Sequence, residues 1–185
     1  MSSRPRASCR PLLARLLAPL LAPRCVQLAL LLALVGAAAP ALALKAVFVV
    51  RHAEKANQTD KDPELSLYGE DRAIALTRLV RGTTIDAVFV TELRRTRDTA
   101  APLCRQRALK PTVVKAGDTP GLLAQLRALP KDAVAVVVGH SNTVPEILAG
   151  LGVKQKIEIR DDEYGRVFVV VPGPDGAATM LELEY

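Results

Sequence analysis

Short apolar runs that end abruptly in polar residues alternate with amphipathic stretches along most of this chain. The runs Ala46–Val50 and Ala133–Gly139 contain only apolar residues and glycine, a pattern typical of strands buried on both faces of a sheet. The same kind of pattern, in shorter form, predicts further strands at Ile85–Val90, Thr112–Lys115, Ile157–Ile159, Val167–Val171 and Met180–Leu183.

Apolar residues at helical spacing occupy most of the intervals between these strands. They predict helices at Glu70–Val80, Glu92–Arg107, Pro120–Leu129 and Val144–Leu151, the third with Thr119 as its N-cap and Pro120 in its first position. Strands that alternate with helices favour parallel pairing, and a turn-rich connection over 172–176 predicts an antiparallel hairpin at the end of the chain. The pattern therefore indicates one α/β domain with a mixed, mostly parallel sheet.

The first 43 residues differ from the rest in composition. They contain no Asp or Glu, and the apolar run Val26–Ala39 is followed by Ala41, Leu42 and Ala43. A basic segment, an apolar segment and an A-x-A site describe a secretory signal peptide. The basic residues are Arg4, Arg6, Arg10, Arg15 and Arg24. The sequence thus predicts cleavage after residue 43, a mature domain over 44–185, and a periplasmic or secreted location.

Two other interpretations of this leader remain open. The apolar stretch Val26–Leu44 approaches the length of a membrane-spanning helix, so it could remain as an uncleaved anchor. A leader rich in Arg and free of acidic residues also suits an organelle transit peptide. Contact with a membrane is expected only if the leader is retained.

Removing the leader also changes the charge balance. The whole chain has 25 Lys and Arg against 19 Asp and Glu, a net charge of +6; without the five leader arginines the balance is 20 against 19, or +1. The mature part has six aromatic residues and no Trp, so neither its charge nor its composition favours nucleic-acid binding. Nothing in the sequence indicates an oligomeric state.

Cysteine content excludes a disulfide-stabilised mature domain. Two of the three cysteines belong to the leader, and Cys104 is left without an intrachain partner. Its apolar helical surroundings predict a thiol packed in the core.

The chain has only two histidines, and each follows a buried strand. Arg51 and His52 come directly after the first run, and His140 follows the second. The carboxyl ends of parallel strands are where ligands bind in open α/β sheets. If the two strands are neighbours, the two imidazoles meet at one edge of the sheet. The alternative is that each histidine merely caps its strand and bonds to a loop.

A third polar stretch follows the strand Ile85–Val90. Thr91 can cap the helix that begins there, and Arg94, Arg95 and Arg97 fall in its first turns. Cations oppose the helix dipole at this end, unless an anion such as phosphate is bound there. The alternative is a solvated basic face, and the spacing alone does not tell which arginine points inward.

These three stretches together resemble the histidine phosphatase (phosphoglycerate mutase-like) superfamily, in the manner of a small exported bacterial branch. The motifs are RHAEK, TELRRTRDTA and VVVGHSNT, in the order found in that family. The resemblance covers residues 46–185 and implies a three-layer α/β/α sandwich. It also implies a metal-independent phosphatase that needs no cofactor and acts on a small phosphorylated substrate.

The resemblance implies a role for each matching residue. His52 would accept the phosphate, Arg51 and Arg95 would bind it, and His140 would be the second histidine, with Thr91 standing where Ser is common. Two departures are present: Ala53 replaces a frequent Gly, and Ser141 replaces the Asp that donates a proton in the acid-phosphatase branch.

A proton donor for the leaving group and the substrate-specificity residues are less well indicated. Asp118 is the first candidate acid, with a role as a cap before the next helix as the alternative; Glu92, Asp161 and Asp162 are further candidates. Asn57, in the polar loop Asn57–Glu64, is a candidate substrate-binding residue, and the loop Lys115–Pro120 also bears on specificity. The function expected is an exported phosphatase working through a phosphohistidine intermediate; the alternative is a non-catalytic phosphate-binding or regulatory module.

Overall fold

The computed structural model describes residues 44–57, 59–173 and 176–185, which form an α/β domain. Within these residues the strands are β1 (Ala46–Arg51), β2 (Ala87–Val90), β3 (Thr112–Val113), β4 (Val134–Gly139), β5 (Arg166–Pro172) and β6 (Ala178–Glu184). The helices are α1 (Leu67–Leu79), α2 (Arg94–Arg107), α3 (Thr119–Arg127) and α4 (Thr143–Gly150).

The six strands form one mixed sheet in the order β3-β2-β4-β1-β5-β6. Strands β1 to β4 pair in parallel, and β5 and β6 add antiparallel pairings to the edge formed by β1. Between β1 and β4 the register places Ala46 opposite Val134 and Arg51 opposite Gly139. The predicted mixed, mostly parallel sheet with a terminal antiparallel hairpin is confirmed.

Helices cover both faces of the sheet. Val50 and Val136 point to the face that packs against α1 and α2, whereas Val49 and Val137 point to the face that packs against α3 and α4. Strands in such a position must be apolar on both sides, which is why β1 and β4 read as uninterrupted hydrophobic runs. The result is a three-layer α/β/α sandwich, as the resemblance implied. Cys104 is buried between the sheet and the helix layer formed by α1 and α2, as predicted, and burial raises the pKa of its thiol.

The predicted strand Ile157–Ile159 is wrong. Residues 153–165 between α4 and β5 form no helix or strand. Ile157 is nevertheless buried in the core, and Ile159 packs against it. The alternation of apolar residues here reflects burial against the core and not strand pairing.

Three helices begin earlier than predicted, α4 by a single residue at Thr143 and the other two as follows. Helix α1 starts at Leu67 and not at Glu70, because the side chain of Ser66 caps it by accepting a hydrogen bond from Gly69 N. Helix α3 has Asp118 as its N-cap, and not Thr119, with Asp118 Oδ1 accepting a 2.9 Å bond from Gly121 N. Leu67 is largely exposed, so hydrophobic periodicity could not mark the first turn of α1.

The predicted leader, residues 1–43, lies outside the described residues, so its assignment stays a prediction. In the part of the chain that the structure does describe, no helix combines the length and apolar character needed to cross a membrane.

Candidate active site

The register between β1 and β4 brings the two histidines together. His52 and His140 each follow the last residue pair of this parallel ladder, Arg51 opposite Gly139. Their ring centroids are 5.4 Å apart, with the planes at 61°. The backbone N–H of His52 donates to the carbonyl of Gly139 over 2.9 Å, extending the ladder by one bond. The prediction that both imidazoles meet at one edge of the sheet is confirmed.

One nitrogen of His52 is fixed and the other is free. His52 Nδ1 lies 2.8 Å from the carbonyl oxygen of Ala53. A carbonyl can only accept, so Nδ1 carries the hydrogen and Nε2 keeps its lone pair. Ala53 is itself held, because its N–H donates to Thr99 Oγ1 over 2.9 Å, and Thr99 Oγ1 donates to the carbonyl of Arg95. Helix α2 therefore sets the orientation of the His52 ring.

Helix α1 holds the loop that follows His52. The Glu54 carboxylate pairs with Arg72 of α1 at 2.6 Å, and the Glu54 carbonyl accepts a bond from Ser66 N. Gly69 packs so closely on the Glu54 backbone that a Cβ at this position would overlap the Glu54 carbonyl oxygen. Glycine is therefore required at this point of the helix.

Both imidazoles are neutral at physiological pH. Burial is the largest cause that lowers the pKa of His52 to about 3, with His140, Arg51 and Arg95 lowering it further against the Ala53 hydrogen bond. Burial and then Arg95 lower the pKa of His140 to about 4, which the charge of Glu92 opposes. Desolvation therefore lowers the pKa of both histidines more than the neighbouring arginines do.

We expect neither imidazole to titrate between about pH 5 and pH 8, where an unperturbed histidine has its midpoint near 6.5. A proton NMR titration of the imidazole ring resonances measures the midpoint of each histidine. Because the chain has only two histidines, the test does not require assigning the resonances to individual residues. The protein in denaturant provides the control, with both midpoints near the ordinary value. A midpoint above about pH 6 in the folded protein would contradict the expectation.

The same pKa values predict how stability depends on pH. Between about pH 6.5 and the folded pKa values of about 3 and 4, the unfolded chain binds more protons at these two positions than the folded protein does. The free energy of unfolding should therefore fall as the pH is lowered through this window.

The His140 ring is held by Thr91, which is itself held by Thr96. Its Nε2 lies 3.1 Å from Thr91 Oγ1, which lies 2.9 Å from Thr96 Oγ1. Both hydroxyls are buried, and Thr96 is fully enclosed. His140 Nδ1 is buried without a hydrogen-bond partner in the described residues, so it is the nitrogen left for a ligand. Thr91 was predicted to cap α2; its hydroxyl accepts a long bond from Leu93 N, but the N-cap residue is Leu93.

Arg95 is the arginine of α2 that points to the imidazoles. Its Nε is buried without a partner in the described residues, and its Nη1 lies 3.9 Å from Asp62. Arg94 instead pairs with Glu64 at 2.9 Å, and Arg97 is exposed. The sequence could not distinguish these three arginines. The structure does, because only Arg95 of the three lines the cavity with the imidazoles.

A cavity of about 370 Å³ connects the residues just described. It is lined by both imidazoles, by the buried Arg51 and the half-buried Arg95, and by side chains to which sequence reasoning gave no role. One of these is Lys55, whose place in the motif RHAEK was the available signal. The lining residues are Arg51, His52, Lys55, Leu93, Arg95, Ala116, Gly117, His140, Ser141, Asn142, Thr143 and Asp161.

The candidate acids lie in different surroundings. Asp118, which caps α3, lines a neighbouring cavity and is absent from the lining of this one. Glu92 accepts a bond from Ala116 N, and backbone N–H groups, first its own and then that of Ala116, lower the pKa of its carboxyl. Asp161 lines the cavity, whereas Asp162 pairs with Arg160 at 3.1 Å.

Asn57 is not brought to the imidazoles. Its side-chain oxygen accepts bonds from Thr59 N and Asp60 N within its own loop. These bonds form an Asx turn, and Asn57 is absent from the cavity lining.

Among residues 44–57, 59–173 and 176–185, no group of three or more His, Cys, Asp or Glu side chains is arranged to hold a metal ion. The positive charge that an anion would meet in this cavity comes from arginine and lysine side chains of the chain itself.

A family model described as "Histidine phosphatase superfamily (branch 1)" matches residues 47–116. No curated protein matches this chain significantly. Among solved structures, the protein histidine phosphatase SixA, complexed with tungstate, is similar with a TM-score of 0.62 and 20% identity over 75% of this chain and 96% of that chain.

The mycobacterial glucosyl-3-phosphoglycerate phosphatase Rv2419c is similar with a TM-score of 0.59 and 16% identity, over 76% of this chain and 98% of that chain. At these identities the likeness establishes a shared fold. The family model supports a relationship to the histidine phosphatase superfamily over residues 47–116, and the solved structures show that the fold is shared.

Proposed function

We propose that this protein is an exported, metal-independent phosphatase that hydrolyses a phosphomonoester or phosphohistidine through a phosphohistidine intermediate on His52. The superfamily assignment and the phosphatases among the structural neighbours support phosphatase activity. The observation that carries the proposal is the pairing of two neutral imidazoles with the guanidinium groups of Arg51 and Arg95 in one cavity.

Each group has a chemical task in this proposal. A phosphate dianion repels an anionic nucleophile, whereas the neutral Nε2 of His52 attacks phosphorus without that repulsion. Arg51, Arg95 and Nδ1 of His140 surround the equatorial oxygens, where charge lies in the transition state. A P–N bond forms as the P–O bond to the leaving group breaks, and the leaving oxygen takes a proton. Water then attacks phosphorus, which releases phosphate and restores His52.

Turnover of an aryl phosphate such as p-nitrophenyl phosphate by the purified protein tests this function directly. We expect activity that survives treatment with a metal chelator, because the positive charge is supplied by guanidinium groups. An active protein that loses activity with chelator and regains it with zinc or magnesium would contradict these roles. Binding of phosphate without turnover would instead favour the non-catalytic module.

We retain Asp118 as the proposed proton donor and propose Asp161 as its competitor. Asp118 is exposed at the N-terminus of α3 and would reach the leaving group only from the cavity rim, whereas Asp161 lines the cavity. The carboxyl of Glu92 has a lowered pKa, which makes it a poorer acid at neutral pH.

Asp118→Asn and Asp161→Asn distinguish these two carboxyls. The variant that removes the acid should slow alkyl phosphates by roughly 10²–10⁴-fold and aryl phosphates little, because a good leaving group needs no proton. The ratio of kcat/KM for the two substrates is the measurement, and the other variant is the matched control. If Asp118→Asn leaves the ratio unchanged, the acid is not Asp118.

We propose phosphohistidine as one of two candidate substrate classes for this cavity. SixA, with which the chain shares its fold, is described as a protein histidine phosphatase. Among the described lining residues Asp161 is the one carboxyl. Cleavage of a P–N bond releases an imidazole, which needs less help from a proton donor than an alkoxide leaving group does. A phosphohistidine peptide and a sugar phosphate compared at equal concentration would separate the two substrate classes.

Export follows from the leader alone. The acid-free basic segment, the apolar run and Ala41–Ala43 support cleavage by a signal peptidase. The intact mass of protein from its native host would then correspond to a chain that starts at Leu44, and a full-length mass in the membrane fraction would indicate an anchor.

A further inference from the structure

We propose that Tyr164 is a positioning residue that holds the Arg51 guanidinium in the orientation needed to bind phosphate; the inference rests on the proposed function. Tyr164 belongs to the irregular segment between α4 and β5 and was given no role by the sequence. We refer to residues 160–164 as the clamp segment.

The clamp segment occupies one edge of the Arg51 guanidinium. Nη1 of Arg51 donates to the carbonyl oxygens of Arg160 at 2.8 Å, Asp161 at 3.1 Å and Glu163 at 3.0 Å. A guanidinium Nη carries two hydrogens, so three acceptors use them fully and Nη1 has none to offer an anion.

The opposite side of the guanidinium is left for the ligand. Arg51 Nε is buried without a hydrogen-bond partner in the described residues, and Nη2 forms no hydrogen bond with them. Arg51 as a whole is 5% exposed and lines the cavity beside His52. Because Nη1 is occupied by the carbonyls, Nε and Nη2 are the nitrogens that would meet the phosphate.

Tyr164 holds the face of the same group. Its ring centroid lies 4.0 Å from Arg51 Cζ and 6.0 Å from the centroid of the His52 ring. The carbonyls restrain the guanidinium at Nη1, and the ring contact on its face adds a restraint on the plane of the whole group. Cation–π stacking stabilises that plane, and an ordered arginine loses less entropy when the anion binds. Tyr164 therefore acts on phosphate through Arg51.

The clamp segment has attachments that do not depend on Tyr164. The N–H of Arg160 donates to Glu163 Oε2, and Arg166 pairs with Glu182 of β6 at 2.6 Å. The N–H of Tyr185 donates to the carbonyl of Gly165. Removing the Tyr164 ring should therefore leave the course of the chain in place, which makes its substitution informative.

Binding of inorganic phosphate to the purified full-length protein tests the proposal without requiring turnover. We expect Tyr164→Leu to weaken phosphate binding about tenfold, a loss that lies between those of an exposed and a fully desolvated cation–π contact. Tyr164→Phe keeps the ring and should remain within about twofold of wild type. Tyr68→Leu, at a tyrosine that is 81% exposed on α1, is the control and should have no effect.

A double-mutant cycle separates positioning from a general structural effect. In the Arg51→Gln background, Tyr164→Leu should weaken phosphate binding no further, because the group it positions is gone. The proposal is overturned if Tyr164→Leu binds phosphate like wild type, if Tyr164→Phe loses as much as Tyr164→Leu, or if the loss persists without Arg51. Wild-type protein that binds phosphate but does not hydrolyse aryl phosphates would overturn the proposed function and leave this comparison intact.

Discussion

His52→Ala is expected to abolish turnover, by at least about 10³-fold, together with any covalent phosphoenzyme. His52 Nε2 is the imidazole nitrogen that keeps a lone pair, because Nδ1 donates to the Ala53 carbonyl. Burial keeps the ring neutral, so the nucleophile is available throughout the physiological pH range. Removal of this ring leaves no group in the same position to accept the phosphate.

Rapid quench with ³²P-labelled substrate measures the intermediate itself. Phosphate on an imidazole nitrogen is lost in acid and survives alkali, the reverse of a phosphoserine. Wild-type protein should therefore yield an alkali-stable label, and His52→Ala should yield none.

His140→Ala is the matched comparison at the neighbouring ring. It should slow formation of the label without preventing it, because the proposed role of His140 is to stabilise charge on the phosphoryl oxygens and not to accept the phosphate. Label trapped on His140, or turnover that persists in His52→Ala, would show that the proposed mechanism is wrong even though the fold is right.

Arg95→Ala should reduce kcat/KM by roughly 10²–10³-fold, the size of effect seen when one donor to transition-state charge is removed. Arg95 projects from α2 into the cavity, and its buried Nε has no partner in the described residues. Such a group is costly to bury unless an anion completes its bonding. Its loss also removes a charge that lowers the pKa of both histidines.

Arg97→Ala provides the control for this prediction. Arg97 lies on the same helix and carries the same charge but is exposed, and its substitution should leave kcat/KM within about twofold, as for most surface changes. Thermal unfolding of both variants checks that the fold is retained. Equal losses in the two variants would mean that the general basic character of α2 matters, and not the placement of Arg95.

Much of this architecture could be predicted because it depends on local pattern. Buried strands in an α/β sheet must be apolar on both faces, so β1 and β4 are visible as uninterrupted runs. The ends of those runs also determined where the site lies, because ligands meet the carboxyl ends of parallel strands. His52 and His140 could thus be assigned to one site before their separation was known.

Only the tertiary structure could decide what depends on direction and on contacts distant in sequence. Helical spacing places Arg94, Arg95 and Arg97 on one short stretch, but packing of α2 against the sheet turns Arg95 inward. Ile157 has the periodicity of a strand, yet it is buried in the core from an irregular segment that forms no strand.

The sequence by itself determined most of the strand–helix order, the position of each histidine at the end of a buried strand and the arginine beside the first, because hydrophobic periodicity and chain order are local properties. The orientation of Arg51 was decided by tertiary structure, since carbonyls 109 to 112 residues away hold its Nη1 and Tyr164 stacks on its face. The reason is that a backbone carbonyl is present at every residue, so no sequence pattern marks the three that happen to converge on one guanidinium.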